Sequence, residues 1–166
     1  MSGFAPITVR QPEPFDIVDD PVGVCGIGTG FEASFSARVR DASGNELARV
    51  SIHAGLGNGA LGNFYAELPL GPVPGTAQGT LEVFEASSED GTELHKVVVP
   101  ITFGRTLVDP YGGFLQYAVE SGDTLFGIAR RFYGDGNLFP RIFEANRDQI
   151  HDPDLIFPGN VLRIPQ

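Results

Sequence analysis

From Ile7 to about Phe103, apolar and polar residues alternate with period two in short runs broken by Gly, Pro, Asn and Asp, and no stretch sustains a helical period. The predicted strands are FDIV (15–18), VGVCGIG (22–28), ASFSARVR (33–40), ELARVSIH (46–53), GNFYAEL (62–68), GTLEVFEAS (79–87) and LHKVVVPITF (94–103). Phe35, Ala37 and Val39 alternate with Ser36, Arg38 and Arg40, and Leu81 and Val83 flank Glu82. Each sheet is therefore expected to bury one face and wet the other. Gly44 and Asn45 in DASGNE, and Asp90 and Gly91 in SSEDGTE, supply hairpin turns. Seven strands in about 100 residues predict a two-sheet sandwich of immunoglobulin type, with a barrel as the alternative closure.

After GRTLVDPYGG (104–113) the pattern changes. Leu115, Tyr117 and Val119 alternate as in a strand. Leu125, Ile128, Ala129 and Phe132 then fall at i, i+3, i+4 and i+7, which predicts a helix with Asp123 as its N-cap and Gly134 as its left-handed stop. Asn137 is expected to open a second helix, in whose first turn Pro140 is tolerated because those amides have no intrahelical partner. Phe139, Ile142, Phe143 and Asn146 share a face of that helix, and Asn146 is expected to tie down the loop that follows. DPD (152–154) and PG (158–159) are turns, and VLRIP returns as a strand with Leu162 and Ile164 inward. The expected organisation is a sandwich over 1–104, a linker over 105–114 and a small α+β (βααβ) domain over 115–166. So short a linker, with Pro110, should hold the two domains close without making them rigid.

Charge narrows the partners. The 166 residues carry 11 Lys plus Arg against 21 Asp plus Glu, a net charge of −10. Binding of nucleic acid or of an anionic membrane through a general positive field is excluded. With 42% hydrophobic and 19% charged residues the composition is that of a folded chain, and no window reaches the run of about 18 apolar residues that spans a bilayer. MSGFAPITVRQPEPF lacks the basic and apolar regions of an export signal. With a native Met1 this favours the cytoplasm or a particle assembled there; for a mature fragment the cell envelope stays open. The lone Cys25 has no intrachain disulfide partner and reads as a small buried hydrophobe.

Candidate chemistry is sparse. GIGTG (26–30) lacks the helix that a dinucleotide fingerprint needs next, so it reads as a glycine-rich bend or bulge, and GLGNGALGN (55–63) reads as a flexible loop. His53 and His95 stand without ligands at metal spacing. HDPD (151–154) with Asp148 is the most oxygen-rich cluster, and it reads as an Asx-Pro turn on a solvated acidic face. Arg130, Arg131, Arg141 and Arg147 are expected on outward helix faces. His151 beside Asp152 is too little for a catalytic pair. No catalytic activity, cofactor or metal is expected.

Two resemblances add to this reading. ITVRQPEP, the VGVCGIG run with Phe31 and Glu32, DASGNEL, GNFYAEL and LEVFEASSEDGTE resemble the immunoglobulin-like domain associated with bacterial spore-germination proteins. That resemblance implies a fold and little about activity. YAVESGDTLFGIARRFYG, IFEAN and DPDLIFPGNVLRIP resemble a LysM domain over residues 116–165. The wording is similar to a LysM subgroup found beside a BON domain in a cytoplasmic potassium-binding protein, and in tail or baseplate proteins of phage and contractile injection particles. The LysM resemblance implies recognition of N-acetylglucosamine polymers such as peptidoglycan, in a shallow groove between the loop after the first strand and the loop before the second. Carried over by position, the groove is Gly122, Asp123, Thr124, Leu125 and Phe126 on one side and Asp154, Leu155, Ile156 and Phe157 on the other. The expected protein is a non-catalytic adaptor, with a glycan on the LysM domain and a protein partner on the sandwich. The alternatives are a structural part of an intracellularly assembled particle, or a cytoplasmic cation-binding protein.

Overall fold

The computed structural model describes residues 7–28, 34–53, 61–87 and 89–166. Two sheets pack face to face. One has the order β1-β3-β6, from β1 (Ile7–Gln11), β3 (Val22–Gly28) and β6 (Gly62–Leu68). The other runs β2-β8-β7-β4-β5, from β2 (Asp16–Val18), β8 (Glu93–Phe103), β7 (Gln78–Ala86), β4 (Ser34–Asp41) and β5 (Glu46–His53). Only β2, beside β8, pairs in parallel among these strands. This is the sandwich and not the barrel. Val22, Val24, Phe35, Ala37, Val39, Phe64, Leu68, Leu81, Val83, Val99, Ile101 and Phe103 meet in one core, with period two along each strand.

Local details depart from the expected pattern. β1 lies outside the predicted strands, since only Ile7 and Val9 alternate before Pro12 and Pro14 interrupt. Gly26 and Gly28 are no bend: both sit in register opposite β6, and Phe64 and Phe35 occupy the space where their side chains would be. The rest of GIGTG, and most of GLGNGALGN, lie outside the described residues. Cys25 is half-buried on the outer face of β3 and not in the core.

The outer face of the larger sheet is less wet than alternation suggests. Phe84 turns outward at a bulge between Val83 and Glu85, yet it is buried. Arg38, Arg49 and Lys96 stack over its ring at 4.6, 5.7 and 5.7 Å. Arg38 is held by Glu82 (Nε–Oε2, 2.5 Å) and by both oxygens of Glu93 (2.5 and 2.9 Å). The Arg38 hydrogen bonds, then those of Lys96, push the Glu93 carboxyl down to about 2. A depressed carboxyl pKa stabilises the fold above the unfolded value, near 4.5, and that contribution is lost as pH falls through the folded value of about 2. Urea midpoints recorded from pH 7 to pH 2 should therefore fall less steeply for Glu93→Gln than for the parent chain.

The C-terminal unit is a two-stranded ribbon of β9 (Phe114–Ala118) and β10 (Val161–Pro165), antiparallel, covered by α2 (Leu125–Tyr133) and α3 (Phe139–Ala145), with a 3-10 turn over Gly136–Leu138. Val119, Leu125, Ile128, Ala129, Ile142, Ile150, Leu162 and Ile164 form its core. Leu115 pairs with Ile164 on the expected inner side but stays exposed on the outer strand of the ribbon. Gly134 ends α2 in the left-handed region (φ 78°), as its sequence position predicts. The second helix opens later than predicted: Asp135 caps the 3-10 turn through Asn137 N, and Pro140 lies in the first turn of α3. Arg131, Arg141 and Arg147 lie over the rings of Tyr117, Tyr133 and Phe143 at 5.4, 5.6 and 4.6 Å. Between the two units, Gly104–Leu107 forms a helical turn, α1.

Candidate functional site

Gly122 adopts φ 91°, a conformation glycine reaches without strain, and turns the chain from β9 towards α2. Asp123 does not cap the helix. Its Oδ2 accepts from Glu120 N and from the Tyr117 hydroxyl, both at 2.8 Å, and so closes the turn on itself. These bonds, the Glu120 amide first, hold the Asp123 carboxyl below the usual range, and the same pairing raises the Tyr117 phenol. The cap is Thr124, whose Oγ1 accepts from Gly127 N at 3.0 Å. Leu125 and Phe126 carry the first amides of α2, which have no intrahelical acceptor.

The second loop is built by backbone and amide bonds of its own. Asp152 Oδ1 accepts from Asp154 N (2.9 Å), the Asx turn expected there, and Asn160 Oδ1 accepts from Phe157 N (2.9 Å). Val119 N donates to Asn160 O (2.8 Å) and Gly159 N to Val119 O (3.0 Å). Val119 ends the first strand's extension, so these two bonds fasten the loops side by side.

Between them lies an open cleft of about 130 Å³ lined by Asp123, Thr124, Leu125, Phe126, Phe139, Pro153, Asp154 and Ile156. Six of the nine residues expected from the sequence line it. Gly122, Leu155 and Phe157 do not; Leu155 and Phe157 are exposed beside it at 58% and 62%. Phe139 and Pro153 were not among the candidates. Phe139 reads from its spacing as a core residue, and Pro153 as part of a turn, and only the fold turns them towards the cleft. Phe126, half exposed, lies over Gly136, where a side chain would strike its ring. The cleft offers helix-terminal amides as donors, the carboxylates of Asp123 and Asp154 as acceptors, and apolar walls from Phe139, Pro153 and Ile156.

Comparison with known proteins agrees with both halves of the fold. The family model described as the immunoglobulin-like domain of bacterial spore germination matches residues 6–92, and the LysM domain model matches residues 117–165. The potassium binding protein Kbp of Escherichia coli is 54% identical over 50 residues, covering 30% of this chain and 34% of that protein. An esterase of Mycobacterium tuberculosis is 44% identical over 64 residues, covering 39% of this chain and 13% of the esterase. An uncharacterised protein of Deinococcus radiodurans is 47% identical over 53 residues, covering 32% of this chain and 20% of its own length. The chain thus spans about a third or less of the curated relatives it matches. It belongs to the family of the immunoglobulin-like domain of bacterial spore germination, and it carries a LysM domain behind that sandwich.

Proposed function

We propose that this chain is a non-catalytic binding protein whose LysM cleft takes an N-acetylglucosamine unit of peptidoglycan or a related glycan. The reading assigns 1–104 to the sandwich, 105–114 to the joint and 115–166 to the LysM domain. The observation that carries it is the convergence of two separate loops on one open cleft that no described residue of the sandwich lines. An acetamido group needs a donor for its carbonyl, an acceptor for its N–H and an apolar wall for its methyl. The amides of Leu125 and Phe126, the carboxylate of Asp154, and Ile156 with Phe139 supply these in turn. Phe126 and Phe157 stand at the edges as aromatic surfaces for neighbouring sugar faces. Leu155 and Gly122 shape the loops.

One shallow site of this kind binds weakly by itself, since strong retention in linked modules comes from avidity. Co-sedimentation with purified peptidoglycan should nevertheless retain the whole chain, and Leu155→Asp with Ile156→Asp should lower retention at least about tenfold, which is about 1.4 kcal/mol. Circular dichroism shows whether that variant is folded. Equal retention of a folded variant would count against the cleft.

A second reading is favoured by one feature, the exposure of Leu155 and Phe157 outside the cleft. In that reading the rim docks on a protein, as in an assembled particle, and the intact chain fails to sediment with peptidoglycan. The similarity to the potassium binding protein Kbp of E. coli adds a control: a potassium chloride titration run beside the glycan one.

A further inference from the structure

The joint between the units is bonded on both sides. Gln78, at the start of β7, donates from Nε2 to the backbone oxygen and to Oε2 of Glu144, both at 3.0 Å. Its Oε1 accepts from the buried Thr102 hydroxyl at 3.2 Å, so the amide is oriented from the sandwich side. Glu144 O belongs to the last turn of α3, whose carbonyls have no partner within the helix. The sandwich therefore supplies a cap that the LysM unit lacks.

A second contact lies at the ribbon. Arg163, on β10, donates from Nη1 to Phe15 O at 3.0 Å, while its Nη2 pairs with Asp148. Phe15 sits at φ 67°, a costly conformation for a residue with a side chain, and its own N–H is held by Pro100 O at 2.7 Å. That turn presents the carbonyl to Arg163. A third contact is the Tyr111 ring on Gly104, where a Cβ would come within 2.5 Å of the ring, and burial raises the Tyr111 phenol. Gly112 N and Gln166 O (2.7 Å), with Gln166 N and Gly113 O (2.8 Å), tie the end of the joint to the chain's last residue.

We infer that the sandwich and the LysM unit are one rigid body, held at Gln78, Arg163 and Tyr111, so that the cleft points in one fixed direction relative to the sandwich. This goes further than the expectation of a joint that is close but not rigid: a short linker read alone says nothing about side chains 66 residues apart in sequence that meet across it. None of the residues at the seam lines the cleft. Among the described residues, the seam therefore leaves the cleft's lining side chains unengaged. The inference stands whether the cleft takes a glycan or a protein.

The test is residual dipolar coupling and ¹⁵N relaxation on the full chain. One alignment tensor and one set of tumbling times should describe both units. Gln78→Glu, which sets a carboxylate against Glu144, should require two tensors while each unit keeps its own spectrum. Two tensors in the parent chain would overturn the inference, and that measurement depends on no variant folding. A single tensor kept by Gln78→Glu would overturn the assignment of the seam to Gln78.

Discussion

Asn146→Ala should unfold the LysM unit at room temperature while the sandwich stays folded. The Asn146 side chain is fully buried and uses both ends of its amide. Nδ2 donates to Ile142 O (2.7 Å) and Arg163 O (2.8 Å), and Oδ1 accepts from Arg163 N (2.8 Å) and from Gln149 Nε2 (3.1 Å). It thus stands in for a neighbouring strand on the open edge of β10 and joins that edge to the end of α3. Removing it strands three backbone groups, and a buried unpaired group costs about 1–3 kcal/mol. A loss of about 4 kcal/mol on that basis is comparable with the whole stability of about 3–5 kcal/mol that a single core of this size supplies. Asn146→Asp should not rescue, because it keeps an acceptor for Arg163 N but sets a carboxylate oxygen against two carbonyls. Hydrogen exchange resolved by residue checks both variants: protection should be lost over β9, α2, α3 and β10 and retained in β4, β7 and β8. A shift below about 1 kcal/mol, the net worth of one ordinary hydrogen bond, would contradict this role.

Gly26→Ala should damage the sandwich about as severely. Gly26 pairs with Val9 on one side and Phe64 on the other. A Cβ there would overlap the Thr8 carbonyl oxygen and lie 2.7 and 2.9 Å from two atoms of the Phe64 ring. Phe64 is itself packed at 6.0 Å against Phe35 in the core. Either β1 separates from β3 or the ring leaves its place, and overpacking of this kind costs about 1–3 kcal/mol. Gly23→Ala on the same strand is the control. Its Cβ would meet only Tyr65 at 4.0 Å, an ordinary contact, and reduced freedom of the unfolded chain should leave stability unchanged or raised by about 0.4–1 kcal/mol. Urea midpoints of the two variants should move apart. Equal midpoints would show that the close approach at Gly26 does not matter.

These two residues mark where sequence reading succeeds and where it stops. β3, β5 and β6 run over the residues that alternation and flanking turn residues mark out, because punctuation by Gly, Pro and Asn acts within a few positions. Yet the same string VGVCGIG does not say that Gly26 and Gly28 exist to admit two phenylalanine rings, since those rings come from β6 and β4. Asn146 shows the same limit. Its backbone oxygen serves the following loop through Gln149 N and Ile150 N, and its side-chain oxygen does so through Gln149 Nε2, but the side chain also reaches β10, 17 residues on. At the site, Asp123 and Thr124 both carry an oxygen able to cap a helix. The Tyr117 hydroxyl, six residues earlier, settles the choice by engaging Asp123. The turns DPD and PG of the second loop were legible because turn residues act locally, whereas the pairing of the two loops into a groove came from the LysM resemblance; Phe139 and Pro153 were not legible, because a wall is a property of packing.

The claim on which the functional account rests is that two LysM loops make one binding surface for an uncharged sugar. Titrating the ¹⁵N-labelled full chain with a soluble N-acetylglucosamine oligomer tests it most directly. Saturable amide shifts confined to Thr124, Leu125, Phe126, Asp154 and Ile156 are the predicted result. Shifts that never saturate, or that fall on the sandwich strands and leave these amides unmoved, would contradict it.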